Sequence, residues 1–291
     1  MEYQVYLTKR IMHLLREGKV KDIYIQEDGN LLMVFSDRVS AFDIKFKQII
    51  PKKGTVLCRF ASFWFSKFDV PNHFIAIRDD NAMEVKRLSM IPYEFIVRGY
   101  YYGSMLERYA SGSDFKNLFG KEITFKKGAK LPYPIFEITT KSEEHDVPVE
   151  RRKIVDSGKL ENGTLKKIEN LSLKIYGTLD LFAKQSGFII ADVKLEFGFD
   201  ESGQLTLADS IGPDECRLWL EDDYRPGQTQ VSYDKQILRD WLIETGFKQE
   251  IDRSASKGQS AAPPKIPESL IDQMSNRYIY VYEKITGEKI P

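Results

Sequence analysis

The spacing of apolar positions changes several times along the chain, and each change marks an element. Leu7, Ile11, Leu14 and Leu15 recur at helical intervals within residues 5–17, and Gly18 stands where a helix would stop. A first helix is predicted there. Residues 20–25 and 31–35 take on strand character around the turn Gln26-Glu27-Asp28-Gly29-Asn30, which predicts a β-hairpin. An aromatic-rich helix is expected over residues 59–68, closed by Pro71, and a strand over 93–102, after Pro92.

The strongest helical pattern covers residues 163–185. Leu165, Ile168, Leu171, Ile175, Leu179 and Phe182 keep one face apolar, and Gly187 ends it. A second hairpin is predicted from residues 188–199 and 204–210 around Asp200-Glu201-Ser202-Gly203. Ile237, Leu238, Trp241 and Leu242 mark a further helix ended by Gly246. Residues 248–264 are polar and rich in Ser, Lys, Ala and Pro, so an exposed, mobile connector is expected before a terminal helix that starts at Pro267. No internal repeat is visible. Early strands followed by mixed helices and hairpins indicate an α+β fold.

The second hairpin carries the candidate chemistry. Side chains alternate faces along a strand, so Asp192, Lys194 and Glu196 share one face while Ala191, Val193, Leu195 and Phe197 share the other. A carboxylate that can hold a hard cation beside a lysine that can hold an anion suits phosphoryl transfer. Asp209, on the returning strand, has the parity of Leu205 and Leu207 and breaks the polar/apolar alternation. A carboxylate in that position needs an ion partner, a metal or a bulge. Downstream, the turn Gly212-Pro213-Asp214 presents Asp214 and Arg217, a residue type that grips phosphate or carboxylate bidentately. Near the start, Lys19 and Lys21 alternate onto one face as a possible phosphate clamp. Neither a G-x-x-x-x-G-K-[ST] nor a G-x-G-x-x-G run occurs, so a nucleotide would be held between strands.

Composition narrows the classes. Lys plus Arg and Asp plus Glu both number 43 in 291 residues, so no bulk field draws nucleic acid or an anionic membrane. Cys58 and Cys216 are far apart and fit a reducing compartment, and three scattered histidines do not make a zinc site. The first residues lack the pattern of a signal peptide, and no apolar run approaches the ~18–20 residues needed to span a bilayer. A cytoplasmic globular protein is expected, with monomer or homo-oligomer left open.

Several runs, read in order, closely resemble the SAICAR synthetase family. They are Gly18-Lys19-Val20-Lys21-Asp22-Ile23-Tyr24, Ser36-Asp37-Arg38-Val39-Ser40-Ala41-Phe42-Asp43 and Ile96-Val97-Arg98-Gly99-Tyr100 with Gly103-Ser104. Thr140-Lys141 with His145-Asp146, Ala191 to Gly198, and Pro213-Asp214 with Arg217-Leu218-Trp219 continue the series. Tyr233-Asp234-Lys235-Gln236 with Arg239-Asp240-Trp241 closes it.

The resemblance implies a SAICAR synthase-like fold of two lobes related to ATP-grasp enzymes, with ATP in the cleft between them. Residues 1–92 would form the smaller nucleotide-binding lobe and 93–291 the larger lobe with the substrate site. It further implies Mg²⁺- and ATP-dependent ligation of L-aspartate to carboxyaminoimidazole ribonucleotide (CAIR), through an acyl phosphate.

By position, Lys19, Lys21 and Lys141 would contact ATP, and Glu196 and Asp209 would hold Mg²⁺. Arg98, Ser104, Asp214, Arg217 and Arg239 would surround CAIR, with Asp192 and Lys194 in the catalytic position. Asp37, Arg38 and Ser40 would form the aspartate-side loop. Two positions depart from the family pattern: Glu215, where a small hydroxyl residue is common, and Glu137, where threonine is usual. The rival readings are a small-molecule kinase of related lobes and a non-catalytic nucleotide-binding protein.

Overall fold

The computed structural model describes residues 12–42, 44–109, 115–120, 122–141, 147–256, 259 and 261–291. Strands β1 (His13–Glu17), β2 (Lys21–Ile25), β3 (Leu31–Phe35), β4 (Arg38–Ala41) and β5 (Ile44–Ile49) precede helix α1 (Lys53–Lys67). Then come β6 (Phe74–Asp79), β7 (Ala82–Val85), β8 (Ser89–Met90) and β9 (Tyr93–Tyr100). Two short helices, α2 (Met105–Arg108) and α3 (Lys116–Phe119), lead to β10 (Lys130–Thr140). After α4 (Arg151–Asp156) and α5 (Asn162–Gln185) follow β11 (Phe188–Phe199), β12 (Leu205–Ala208) and β13 (Cys216–Leu220). Helices α6 (Gln236–Glu244), α7 (Phe247–Ala255) and α8 (Glu268–Thr286) come last.

These strands form two main sheets. One has the order β1-β2-β3-β7-β6. The other has the order β10-β9-β11-β12, and β13 and β8 also pair with β11. β4 and β5 make a separate two-stranded ribbon. All pairings between these strands are antiparallel, as an α+β fold built from hairpins requires. Both predicted hairpins are present, as β2–β3 and β11–β12.

One continuous core joins the two sheets. The apolar stripe of α5 (Leu165, Ile168, Ile175, Leu179, Ala183) clusters with Phe95 and Val97 of β9 and Val193 and Leu195 of β11. α1 supplies Val56, Phe60, Ala61 and Trp64 to the same core, beside Met33 and Phe35 of the first sheet and Tyr278, Val281 and Tyr282 of α8. Each such large side chain contributes roughly 1.5–3 kcal/mol by leaving water. A second cluster packs Val39, Phe46 and Ile50 of the β4–β5 region against Leu238, Leu242, Phe247 and Met274 of the last three helices.

Three expectations need correction. Residues 13–17 of the predicted first helix are the exposed strand β1, and residues 1–11 lie outside the described residues. Leu14 and Leu15 of the would-be apolar stripe are both exposed among the described residues, whereas the edge of β2 offers backbone partners. Gly18 is therefore not a helix stop but part of the tight β1–β2 turn. Its N–H donates to the Lys21 carbonyl at 3.0 Å, and a Cβ there would sit 2.3 Å from that oxygen.

The expected connector 248–264 begins with α7, because Phe247 and Ile251, four residues apart, dock on the second cluster. Finally, Ala191 does not share a core with Val193, Leu195 and Phe197. The β11–β13 register shifts between Ile190 and Asp192, and this bulge moves Ile189 and Ala191 into a cluster with Tyr100, Tyr102 and Trp219.

α5 comes close to the sheet at Gly99. A Cβ at Gly99 would lie 1.9 Å from Tyr176 Oη, which donates to the Ile190 carbonyl at 2.8 Å in the interior. Gly99→Ala should cost about 1–3 kcal/mol of stability through overpacking, read as a lower urea midpoint with an unchanged slope. An unaltered midpoint would mean that the α5–sheet contact is looser than described.

Candidate active site

The polar face of β11 is the centre of an ionic network that crosses four strands. Asp192 lies opposite Arg98 of β9 and Arg217 of β13. Its Oδ2 accepts from Arg98 Nη1 at 3.1 Å and from Arg217 Nη1. Arg98 is gripped on its other sides: Nε donates to Glu137 Oε2 of β10 at 2.5 Å and Nη2 to Ser104 Oγ at 3.0 Å. Ser104 sits at the N-terminus of α2 without capping it, which leaves its hydroxyl for the arginine. Gly103 adopts φ 63°, and a Cβ there would come within 2.6 Å of Arg217 Nη1, so the close approach requires glycine.

Farther along β11, Lys194 Nζ donates to Glu94 Oε1 at 2.5 Å, and Glu196 pairs with Lys141. Asp209, just past β12, adopts φ 63°, and this left-handed conformation takes it out of the strand alternation. Its carboxylate pairs with Lys21 of the first sheet, whose Nζ also donates to Ser210 Oγ at 3.0 Å. The irregular parity of Asp209 thus marks an ion pair between the two sheets.

The electrostatics follow from crowding buried charge. Burial opposes ionisation of Asp209, but Lys21, Lys141 and Lys194 outweigh it and hold the carboxyl at about 2. Burial also opposes the Lys194 ammonium, yet Glu94, Glu196 and Asp209 raise its pKa above the ordinary lysine value, so it stays charged. Glu196 is pushed up, first by burial and then by the Asp209 charge. Two carboxylates that repel each other in this way suit a divalent cation. Among the described residues no group of three or more His, Cys, Asp or Glu forms a metal cage. The pair therefore fits an ion that takes one or two carboxylates and completes its shell with phosphate and water, as Mg²⁺ does.

Behind this face lies a second buried set. Lys53 Nζ of α1 is 2.9 Å from Asp214 Oδ2, Tyr278 Oη donates to Asp214 Oδ1 at 2.8 Å, and Lys235 Nζ stands 3.8 Å away. Asp214 is held at the low end of the carboxylate range because the two lysines overcome its burial. Glu215 accepts from Ser210 Oγ at 3.2 Å, and its backbone carbonyl accepts from the Lys194 N–H at 2.9 Å. Burial lifts the Glu215 carboxyl to about 7. Lys21 opposes the shift, while Asp214 and Asp209 add to it.

Other expected site residues have further neighbours, and Arg239 faces the Lys235 and Tyr278 side of the second set. Lys19 is exposed in the β1–β2 turn. Arg239 lies on α6 beside Gln236 Oε1, at 3.5 Å. Asp37 Oδ1 accepts from the Gly54 N–H at 2.8 Å and so caps α1 from a distance, while Arg38 pairs with Asp22 at 2.6 Å. Ser40 is buried in β4. Asp43, His145 and Asp146 of the resembling runs lie outside the described residues.

The profile of the SAICAR synthetase family matches residues 14–254. The chain belongs to that family. A phosphoribosylaminoimidazole-succinocarboxamide synthase of Nitrosopumilus maritimus is 46% identical over 96% of this chain and 100% of its own length. One from Corynebacterium diphtheriae is 38% identical over 94% and 93%. Among solved structures, the SAICAR synthase of Saccharomyces cerevisiae complexed with SAICAR aligns at TM-score 0.78 and 32% identity, covering 96% of each chain. A SAICAR synthetase in complex with ADP aligns at TM-score 0.71 and 29% identity, covering 96% of this chain and 99% of the other. The architecture is thus that of SAICAR synthases.

Several members of the network carry no signal of their own in the sequence. Glu94 and Arg98 share parity on β9, so strand alternation alone would have put Glu94 on the polar face. Arg108 and Lys53 carried no such signal. Their roles depend on where α2 and α1 dock.

The Glu215 shift has a sign that can be tested. With the folded pKa raised, the native state binds a proton that the unfolded state releases, so stability falls as pH rises from about 4.5 towards about 7. Glu215→Gln should therefore stabilise the ligand-free protein by on the order of 1 kcal/mol at pH 8, and the gain should vanish near pH 4.5. Thermal melting of both proteins across that range gives the answer. A gain that grows at low pH would contradict the assignment.

Proposed function

We propose that this chain catalyses the ATP-dependent ligation of L-aspartate to the CAIR carboxylate, giving SAICAR, ADP and phosphate in purine biosynthesis. The observation that carries this reading is the network centred on Asp192, Lys194 and Glu196, with Asp209 of the same sheet paired to Lys21 of the other, in a chain of this family. ATP would lie in the cleft between the first sheet and β11–β12, with its phosphates near Lys21 and Lys141 and with Lys19 at the rim. The division into lobes 1–92 and 93–291, the relation to ATP-grasp enzymes and a cytoplasmic location belong to the same proposal. No helix among the described residues is long and apolar enough to cross a membrane.

Glu196 and Asp209 would hold Mg²⁺, whose bound charge would neutralise the phosphate oxygens. Lys21 and Lys141, which now occupy those carboxylates, would turn to the nucleotide phosphates as the ion takes their place. Arg98, Ser104 and Arg217 present donors suited to the 5′-phosphate of CAIR, with Asp214 and Arg239 behind them. Asp192 fixes the two arginines. Lys194, kept cationic by Glu94, would stabilise the CAIR carboxylate as its oxygen attacks the γ-phosphorus and ADP leaves. The aspartate amine then attacks the acyl carbon, loses a proton, and releases phosphate. The segment of Asp37, Arg38 and Ser40, expected as a loop, runs into strand β4, whose pairing with β5 holds Arg38 and Ser40. It remains the proposed aspartate-side element. Asp37 and Arg38 act there on its shape, through Gly54 and Asp22.

ATP turnover should depend strictly on both CAIR and L-aspartate. ATP turnover that needs neither would favour a kinase of related lobes, and nucleotide binding without any turnover would favour a non-catalytic binding protein. Glu196→Gln should lower kcat by about 10²-fold with an unchanged circular dichroism spectrum. Near-normal activity at saturating Mg²⁺ would remove Glu196 from the metal site.

A further inference from the structure

Glu137 of β10 carries a largely buried carboxylate paired with two arginines from different elements. We propose that Glu137 is a positioning residue that clamps Arg98 and Arg108 together, forming with Arg217 a three-arginine cradle for the 5′-phosphate of the ribonucleotide. The proposal rests on the ligase reading for the identity of that substrate.

The geometry is specific. Glu137 and Arg98 lie diagonally across the β9–β10 pairing, where Glu137 faces Ile96 and Ile135 faces Arg98. One oxygen, Glu137 Oε2, accepts from Arg98 Nε at 2.5 Å and from Arg108 Nη2 at 2.7 Å. The Glu137 side chain is only 8% exposed. Burial opposes its charge, but the two guanidinium groups outweigh that and hold its pKa below the ordinary glutamate value.

Helix α2 serves the same arginine from both ends. Ser104 at its start accepts from Arg98 Nη2, and Arg108 at its end shares the Glu137 carboxylate. Arg98, Arg108 and Arg217 bring three positive charges, against two negative charges from Glu137 and Asp192. Asp234 also faces Arg217 electrostatically, so geometry rather than net charge calls for an anion: three guanidinium groups converge on two carboxylates, and their remaining forked N–H donors match phosphate oxygens. Without the Glu137 charge, Arg98 would lean towards Asp192 and Arg108 would lose its tether.

The test separates positioning from mere tying of β10 to α2. In Glu137→Gln, KM for CAIR should rise about tenfold while KM for ATP and for L-aspartate stay within about twofold. The inhibition constant of ribose 5-phosphate, which carries only the phosphate handle, should weaken by the same factor. Arg108→Gln should shift both constants in the same direction, and the double variant should fall short of the product of the single effects, because the two residues act as one unit. A lowered melting temperature with an unchanged KM for CAIR would overturn the proposal, as would an equal rise in all three KM values. Should Glu137→Gln fail to fold, Arg108→Lys keeps the charge and removes the fork, and an unchanged KM there overturns the proposal. Wild-type protein that does not turn over CAIR would sink the ligase reading alone. Calorimetric binding of ribose 5-phosphate to wild type and to Glu137→Gln would then still test the cradle, and equal affinities would refute it.

Discussion

Everything at this site depends on keeping a row of charges ionised inside a sheet. β11 has neighbours on both sides and a helix over one face, so Asp192 and Glu196 are buried and Lys194 between them is half-buried. A lone buried charge would neutralise itself at a cost of several kcal/mol, and only paired charges persist. Each of the three has a partner on another element: Arg98 and Arg217 for Asp192, Glu94 for Lys194, Lys141 for Glu196. The network is therefore both a condition of folding and a store of preorganised charge.

Two backbone irregularities aim that charge. The bulge at Ala191 changes which side chains of β11 face the α5 core, so apolar packing and the ionic face occupy the same strand in succession. The left-handed turn at Asp209 sends a carboxylate across to Lys21. The resulting pair is a bridge between the sheets whose two ends also suit a metal and a phosphate. A ligand entering there would exchange one set of ion pairs for another rather than strip charges of all partners, which lowers the cost of binding.

Much of this was legible from the residues alone. Alternation on β11, the hairpin to β12 and the stripe of α5 follow from local periodicity, which local sterics and burial enforce. Over residues 13–17 the helical spacing of Leu14 and Leu15 misleads, because both side chains are exposed and the segment pairs with β2 as a strand. The polar run after Gly246 hid α7, whose stability comes from docking two apolar residues rather than from composition.

Sequence by itself determined the fold class, the polar face of β11, the anomaly at Asp209 and membership of the family, since these rest on residue order and short-range spacing. Only the tertiary structure decided the partners. Glu94 with Lys194, Lys53 with Asp214, and Arg98 and Arg108 on one Glu137 oxygen join segments up to about 160 residues apart. Their pairing depends on how α1, α2 and β10 pack around the central strand. The physical reason is range: periodicity reports which face a side chain takes, whereas Coulombic pairing in a buried site depends on distances that only the packed chain defines.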